Sequence, residues 1–120
     1  MIFDTNILIY LSKNILKPED IVSDQTAISI ITKIEALGYP FKNPEEFEII
    51  SAICSALPVI PVTDAIAEAT INLRRKYRVK LPDALIYATA LVENKPLLTN
   101  NVADFELLGN GVKLINPFTS

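Results

Sequence analysis

The sequence begins MIFDTNILIYL (residues 1–11), in which the polar residues Asp4, Thr5 and Asn6 separate two apolar segments. The first three residues predict a short strand, and the segment from Thr5 to about Leu11 predicts a helix. A carboxylate at this junction is either the N-cap of the helix or part of a site at the end of a strand. Acids in equivalent places further along the chain would favour the second interpretation.

Short apolar segments alternate with helical patterns along the rest of the chain. Further strands are predicted at TAIS (26–29), VIPV (59–62), PLLT (96–99) and VKLI (112–115), and Pro61 favours an edge or end position for VIPV. Helices are predicted from Pro18 (a short helix or turn), at IITKIEAL (30–37), from the Asn43 cap to about Leu57, after the Thr63 cap, at PDALIYATALVEN (82–94) and at ADFELL (103–108). This alternation predicts an α/β fold, with a mainly parallel sheet between helices, in a single domain over residues 1–120.

Composition excludes several kinds of site. Histidine is absent, which removes Ser-His and Cys-His nucleophile systems and most zinc sites. Cys54 is the only cysteine, so an intramolecular disulfide is impossible and a cytoplasmic location is expected. Neither a signal peptide nor a membrane-spanning segment is expected, and catalysis would have to use carboxylates, lysine, hydroxyls or a metal ion.

Charge and hydropathy bear on the expected partners. The formal net charge is −3, so nucleic acid would have to be bound through a local basic patch or through bound cations. Half of the residues are hydrophobic, and the mean hydropathy is +0.33. Part of this apolar surplus is expected at a subunit or partner interface, with a homodimer as the simplest case.

Four acids occupy comparable positions near predicted strand ends or helix starts: Asp4, Glu35, Asp83 and Asp104. Each has a local alternative, because Asp4, Asp83 and Asp104 could complement helix N-termini, and Glu35 could form a capping box with Thr32. Together they could meet at the carboxyl edge of the sheet, where they would raise one another's pKa values. A hard divalent cation, Mg²⁺ or Mn²⁺, would relieve that repulsion.

Four motifs carry a resemblance to a known family: MIFDTNILIYL, ISIITKIEALG, LPDALIYATAL and LLTNNVADF, in this order and at these spacings. They resemble the PIN domain, and within it the VapC-type toxins of toxin–antitoxin pairs. The resemblance implies a three-layer α/β/α sandwich and a metal-dependent endoribonuclease that uses metal-activated water. It also implies a cognate antitoxin, which could insert an arginine among the acids.

The resemblance assigns roles to individual residues. Asp4, Glu35, Asp83 and Asp104 match the family's acidic metal-binding quartet. Supporting polar positions are matched by Asn6, Thr99 and Asn101, and we expect Thr5 and Asn6 to satisfy helix-start donors and hydrogen-bond neighbouring acids. Asn100 departs from the arginine that is frequent there, which puts a phosphate contact from that position in doubt.

The segment RRKYRVK supplies the predicted RNA-binding patch: Arg74, Arg75, Lys76, Arg78 and Lys80. Its local alternative is the solvated C-terminal end of an amphipathic helix. Three other functions remain open at this point. They are a housekeeping RNA-processing nuclease of the same fold, a catalytically silent PIN-like binding module, and a haloacid dehalogenase-type phosphatase, for which Asn6 stands where a second aspartate is needed.

Overall fold

The computed structural model describes residues 1–119, which form five strands and seven helices. The strands are β1 (Ile2–Phe3), β2 (Ile28–Ser29), β3 (Val59–Ile60), β4 (Leu97–Leu98) and β5 (Leu114–Ile115). The helices are α1 (Thr5–Ser12), α2 (Pro18–Ile21), α3 (Ile30–Leu37), α4 (Pro44–Ala56), α5 (Asp64–Lys76), α6 (Leu81–Glu93) and α7 (Val102–Glu106). Every predicted strand and helix is present, although the strands are shorter than predicted.

All strand pairs are parallel. β1 pairs with β4 and β4 with β5, while β2 pairs with β3. A parallel bridge between Ile2 and Ala27 joins the two groups, giving the order β3-β2-β1-β4-β5. Pro61 follows β3 at the edge of this sheet, as its missing N–H requires.

The helices cover both faces of the sheet, because neighbouring strand residues point to opposite sides. Ile2 and Leu97 belong to a core cluster with residues of α5, α6 and α7. Phe3 and Leu98 belong to a second cluster with residues of α1 and α4. The predicted three-layer α/β/α sandwich is confirmed, and the carboxyl ends of its strands lie at one edge.

Local sequence explains where most helices begin. Asn43 caps α4 by accepting the Glu45 N–H at 2.9 Å, with Pro44 in the first helical turn. α3 has the predicted bounds, and its N-cap is Ser29, which accepts the Ile31 N–H at 3.1 Å. The capping-box interpretation of Thr32 is therefore wrong, because Thr32 is already inside the helix. No helix within residues 1–119 is long and apolar enough to cross a membrane.

Candidate metal centre

Asp4 lies between β1 and α1 and is only 5% exposed. One carboxylate oxygen, Oδ1, accepts the Thr5 N–H at 2.8 Å, so Asp4 is the N-cap of α1. The other, Oδ2, accepts a hydrogen bond from the Thr99 hydroxyl at 2.8 Å. Asp4 can therefore be the N-cap of α1 and also part of a site at the strand ends, since its carboxylate contacts Thr99, which follows β4.

Thr99 directly follows β4 and is completely buried. Its hydroxyl donates to Asp4 and accepts the backbone N–H of Asn101 at 2.9 Å. This contact fixes the loop after β4 relative to the end of β1. The next residue, Asn100, donates its side-chain amide to the Tyr10 hydroxyl at 2.9 Å, a contact that the sequence did not predict.

Glu35 is held from the first turn of α1. The Thr5 hydroxyl donates to Glu35 Oε1 at 2.7 Å and lies 3.3 Å from the hydroxyl of Thr32. Thr5 therefore does contact an acid, as expected. Asn6 is exposed, and no side-chain hydrogen bond from it to an acid occurs in the part of the chain that the structure describes.

Asp83 and Asp104 line one cleft of about 390 Å³, which we call the Asp83 cleft. Asp83 is in the first turn of α6, and Asp104 is in α7. The remaining lining residues are Arg78, Val79, Lys80, Asn101, Phe105, Leu107 and Leu108. The cleft thus combines two acids and two cations with an apolar wall.

The apolar wall was not predicted as part of the site. Leu107 is 70% exposed at this cleft, whereas its neighbour Leu108 is buried. The sequence pattern ADFELL predicts a helix with a buried face and gives no indication of an exposed leucine at the cleft. Leu107 lies outside the helix because α7 ends at Glu106.

Electrostatic interactions connect all four acids. Burial raises the pKa of Asp4 in spite of its hydrogen bonds to Thr99 and Thr5, and the charges of Asp83 and Glu35 raise it further. Burial also raises the pKa of Asp83, the charges of Glu35 and Asp104 add to this effect, and Lys80 opposes it. The fold therefore brings Asp83 close enough to Asp4, Glu35 and Asp104 for repulsion between their charges, and Glu35 close enough to act on Asp4 as well.

The donor atoms fit a hard divalent cation, because every member of the quartet offers carboxylate oxygens. Among the cations of the described residues, Lys80 is the one whose charge lowers the pKa of Asp83. The carboxylates are not preassembled around one position, however. Among residues 1–119, no three His, Cys, Asp or Glu side chains are arranged to hold a metal ion as they stand. The quartet offers the oxygen ligands that Mg²⁺ and Mn²⁺ prefer, but its side chains are not arranged as a closed set of ligands.

The cations of the basic segment line several depressions. Arg78 and Lys80 line the Asp83 cleft, whereas Arg75 and Lys76 line other depressions. Arg74 borders two of the neighbouring depressions. All five side chains belong to exposed residues.

Comparisons with known proteins agree with this fold. Residues 1–108 match the family model described as PIN domain. A chain of a toxin-antitoxin complex from Klebsiella pneumoniae is 34% identical, with a TM-score of 0.77 and coverage of 99% of this chain and 98% of that one. A comparison with curated proteins found no significant match.

Two further solved structures share the fold at lower identity. A chain of VapBC2 from Rickettsia felis, bound to a DNA fragment from the promoter, is 23% identical, with a TM-score of 0.78 and coverage of 97% and 98%. A chain of DNA-bound VapBC from Salmonella typhimurium is 22% identical, with a TM-score of 0.82 and coverage of 96% of each chain.

Proposed function

Because the chain belongs to the PIN domain family, we propose that it is a Mg²⁺- or Mn²⁺-dependent endoribonuclease and the toxin of a toxin–antitoxin pair. Its substrate would be cytoplasmic RNA. The observation that carries this proposal is the pair of carboxyls Asp4 and Asp83, whose pKa values are raised first by burial and then by the charges of neighbouring acids, since their ionised forms cost stability unless a cation is bound.

Asp4, Glu35 and Asp83 would hold the ion, directly or through water, and Asp104 would complete the site or position the attacking water. When bound, the ion supplies Lewis acidity at the phosphoryl oxygen and lowers the pKa of water. In-line attack on phosphorus would leave a 5′-phosphate and a 3′-hydroxyl.

The chain's own hydroxyls prepare this arrangement. Thr99 and the Thr5 N–H fix both oxygens of Asp4, and the Thr5 hydroxyl orients Glu35. Asp104 has no comparable hydrogen bond among the described residues and is exposed, so its carboxylate can contact solvent water.

Replacing Asp4 with Asn tests the proposal directly. We expect cleavage of RNA in Mg²⁺ to fall by about 100-fold or more, as for the loss of a central electrostatic group. We also expect the Mg²⁺-induced rise in melting temperature to disappear. Asp24→Asn is the matched control, because this exposed acid precedes β2 and lies at the opposite edge of the sheet. A folded Asp4→Asn variant with an unchanged cleavage rate would contradict the role of Asp4.

We propose two protein partners, a cognate antitoxin and a second copy of the chain. The Klebsiella relative is part of a toxin-antitoxin complex, and an antitoxin arginine could pair bidentately with the acids in place of the ion. Large apolar side chains are exposed on several elements, including Ile34, Phe47, Ile71 and Leu107. A dilute, unaccompanied chain that is stable and monomeric by light scattering would contradict the homodimer.

A catalytically silent binding module is the second candidate, and one observation favours it: the carboxylates are not closed around a position within the described residues. Calorimetric titration with Mg²⁺ and Mn²⁺ separates the two. Binding that is lost in Asp4→Asn supports the nuclease, whereas no binding to the wild-type chain supports the silent module. A housekeeping RNA-processing nuclease would bind the metal equally but would need no neighbouring antitoxin gene.

A further inference from the structure

The basic segment between α5 and α6 changes backbone conformation in its middle. α5 ends at Lys76, and Tyr77 is extended, with φ −129° and ψ 155°. Lys80 is extended as well, with φ −67° and ψ 148°, before α6 begins at Leu81. The cations of this segment therefore do not lie along one helical face. The residues that surround each cation determine which ligands it can contact.

Arg78 and Lys80 lie beside the acids. Both line the Asp83 cleft together with Asp83 and Asp104. They also border a second depression of about 510 Å³, lined by Arg74, Tyr77, Arg78, Val79 and Lys80, which we call the Tyr77 depression. The stretch from Arg78 to Lys80 thus forms the ridge between the acids and the Tyr77 depression.

Arg75 and Lys76 lie elsewhere. Arg75 borders a depression with Thr70, Ile71, Arg74 and Leu81, and none of the four acids lines it. The Lys76 ammonium lies 5.4 Å from the centroid of the Tyr77 ring, in a cation–π contact, and Lys76 borders an apolar depression with Leu91 and Leu108.

Neither Arg78 nor Lys80 forms a salt bridge with an acid in the described part of the chain. Within residues 1–119, the only salt bridge joins Lys13 to Glu46, at 3.1 Å. Lys80 is nevertheless close enough to lower the pKa of Asp83. Two unpaired cations beside a cluster of acids, on a chain of net charge −3, are suited to hold a phosphate backbone where the acids alone would repel it.

We infer that Arg78 and Lys80 bind the RNA phosphates that flank the cleaved bond, and that Arg75 and Lys76 make no phosphate contact. The RNA strand would leave the Asp83 cleft across this ridge and continue along the Tyr77 depression. This inference rests on the proposed nuclease function for the identity of the strand, and it removes Arg75 and Lys76 from the predicted five-residue patch.

Salt dependence of RNA binding measures the number of phosphate contacts. A fluorescein-labelled single-stranded RNA would be titrated in EDTA, where metal-dependent cleavage is stopped, and binding would be followed by anisotropy over a range of NaCl concentrations. Each phosphate contact contributes about 0.7 to the slope of log K against log salt for a single strand. We expect Arg78→Gln and Lys80→Gln each to lower the slope by about 0.7, and the double variant by about 1.4.

Arg75→Gln and Lys76→Gln are the matched controls, since they remove the same charge from the same segment. We expect them to leave the slope unchanged. Melting temperatures of all four variants check that these exposed positions do not affect folding. Equal slopes for the two pairs of variants, or no measurable binding by the wild-type chain, would overturn the inference.

The same variants separate this inference from the proposed function. RNA cleavage by the wild-type chain in Mg²⁺ is assayed on its own. A chain that cleaves RNA but shows no slope change in Arg78→Gln and Lys80→Gln contradicts the phosphate site alone. A chain that shows the expected slopes but cleaves no RNA supports the phosphate site and contradicts the nuclease.

Discussion

Replacing Thr99 with valine would remove one hydroxyl group from the centre of the candidate site and keep the shape of the side chain. In the native fold this hydroxyl donates to Asp4 Oδ2 at 2.8 Å and accepts the Asn101 N–H at 2.9 Å. Thr99 is fully buried, so water cannot substitute for the lost hydroxyl without entering the core.

The cost follows from the two hydrogen bonds. A hydrogen bond to a charged group contributes about 1.5–3 kcal/mol, and a neutral one contributes about 0.5–1.5 kcal/mol. The half-buried Asn101 N–H can regain part of its loss from solvent. We therefore expect the free energy of unfolding to fall by about 2–3 kcal/mol at pH values above the folded pKa of Asp4, where its carboxylate is ionised.

The free energy of unfolding lost in Thr99→Val should depend on pH, and the direction of this dependence follows from the pKa of Asp4. Burial raises the pKa of Asp4 above its unfolded value, although the Thr99 hydroxyl lowers it. The ionised carboxylate therefore costs stability as pH rises through the folded pKa, and removing the hydroxyl raises this pKa and the cost further. The difference between the wild-type chain and Thr99→Val should be largest above the folded pKa of Asp4 and should shrink as Asp4 becomes protonated.

Urea unfolding in EDTA, repeated from about pH 4.5 to about pH 8, measures this difference. Thr99→Ser is the control, because it retains the hydroxyl and loses only a methyl group, worth about 0.8 kcal/mol. If Thr99→Val lost no more stability than Thr99→Ser, or lost the same amount at every pH, the hydroxyl would not be supporting an ionised Asp4.

Three further predictions concern other parts of the molecule. Asp83→Asn should raise the metal-free melting temperature at neutral pH but not at low pH, because the pKa of Asp83 is raised. The same variant should lose the stabilisation by Mg²⁺, which is worth about 2.7 kcal/mol in the wild-type chain when the Mg²⁺ concentration is 100 times the dissociation constant. Ser29→Ala should cost about 1 kcal/mol in urea unfolding, since Ser29 caps α3, whereas Thr32→Ser should keep that cap and lose only a methyl group. Cys54 is buried and its pKa is raised by burial, so a thiol reagent should label it slowly in the native protein and rapidly in urea; rapid native labelling would contradict its burial.

The sequence was sufficient to predict the elements whose signals are local. Asn43 and Pro44 mark the start of α4, and the alternation of apolar segments with helical patterns predicts a parallel sheet. The capping-box interpretation failed because two possible helix caps, Ser29 and Thr32, lie close together in the sequence. Thr32 and Glu35 fit a capping box, but Ser29 supplies the cap, and Glu35 is instead bonded by a residue 30 positions away.

Contacts between distant residues could not be predicted from the sequence. The order of acids predicted that Asp4 and Asp83 would meet, and Thr5 was expected to bond an acid. Nothing local identifies Glu35 as that acid, however, or indicates that Asn100 would bond Tyr10. The five cations of the basic segment likewise form one pattern in the sequence. Their separation depends on where α5 ends, and a helix boundary is uncertain by one or two residues.

The hydrogen bond between Thr99 and Asp4 joins positions 95 residues apart in the chain. During synthesis on the ribosome, Asp4 Oδ1 can accept the neighbouring Thr5 N–H early, but Oδ2 cannot accept the Thr99 hydroxyl until the chain has been made through β4. A truncated translation product that ends before β4 would lack both this hydroxyl and Asp104. Such a product could not assemble the acidic cluster, so the cluster forms only after the chain has been synthesised through Asp104.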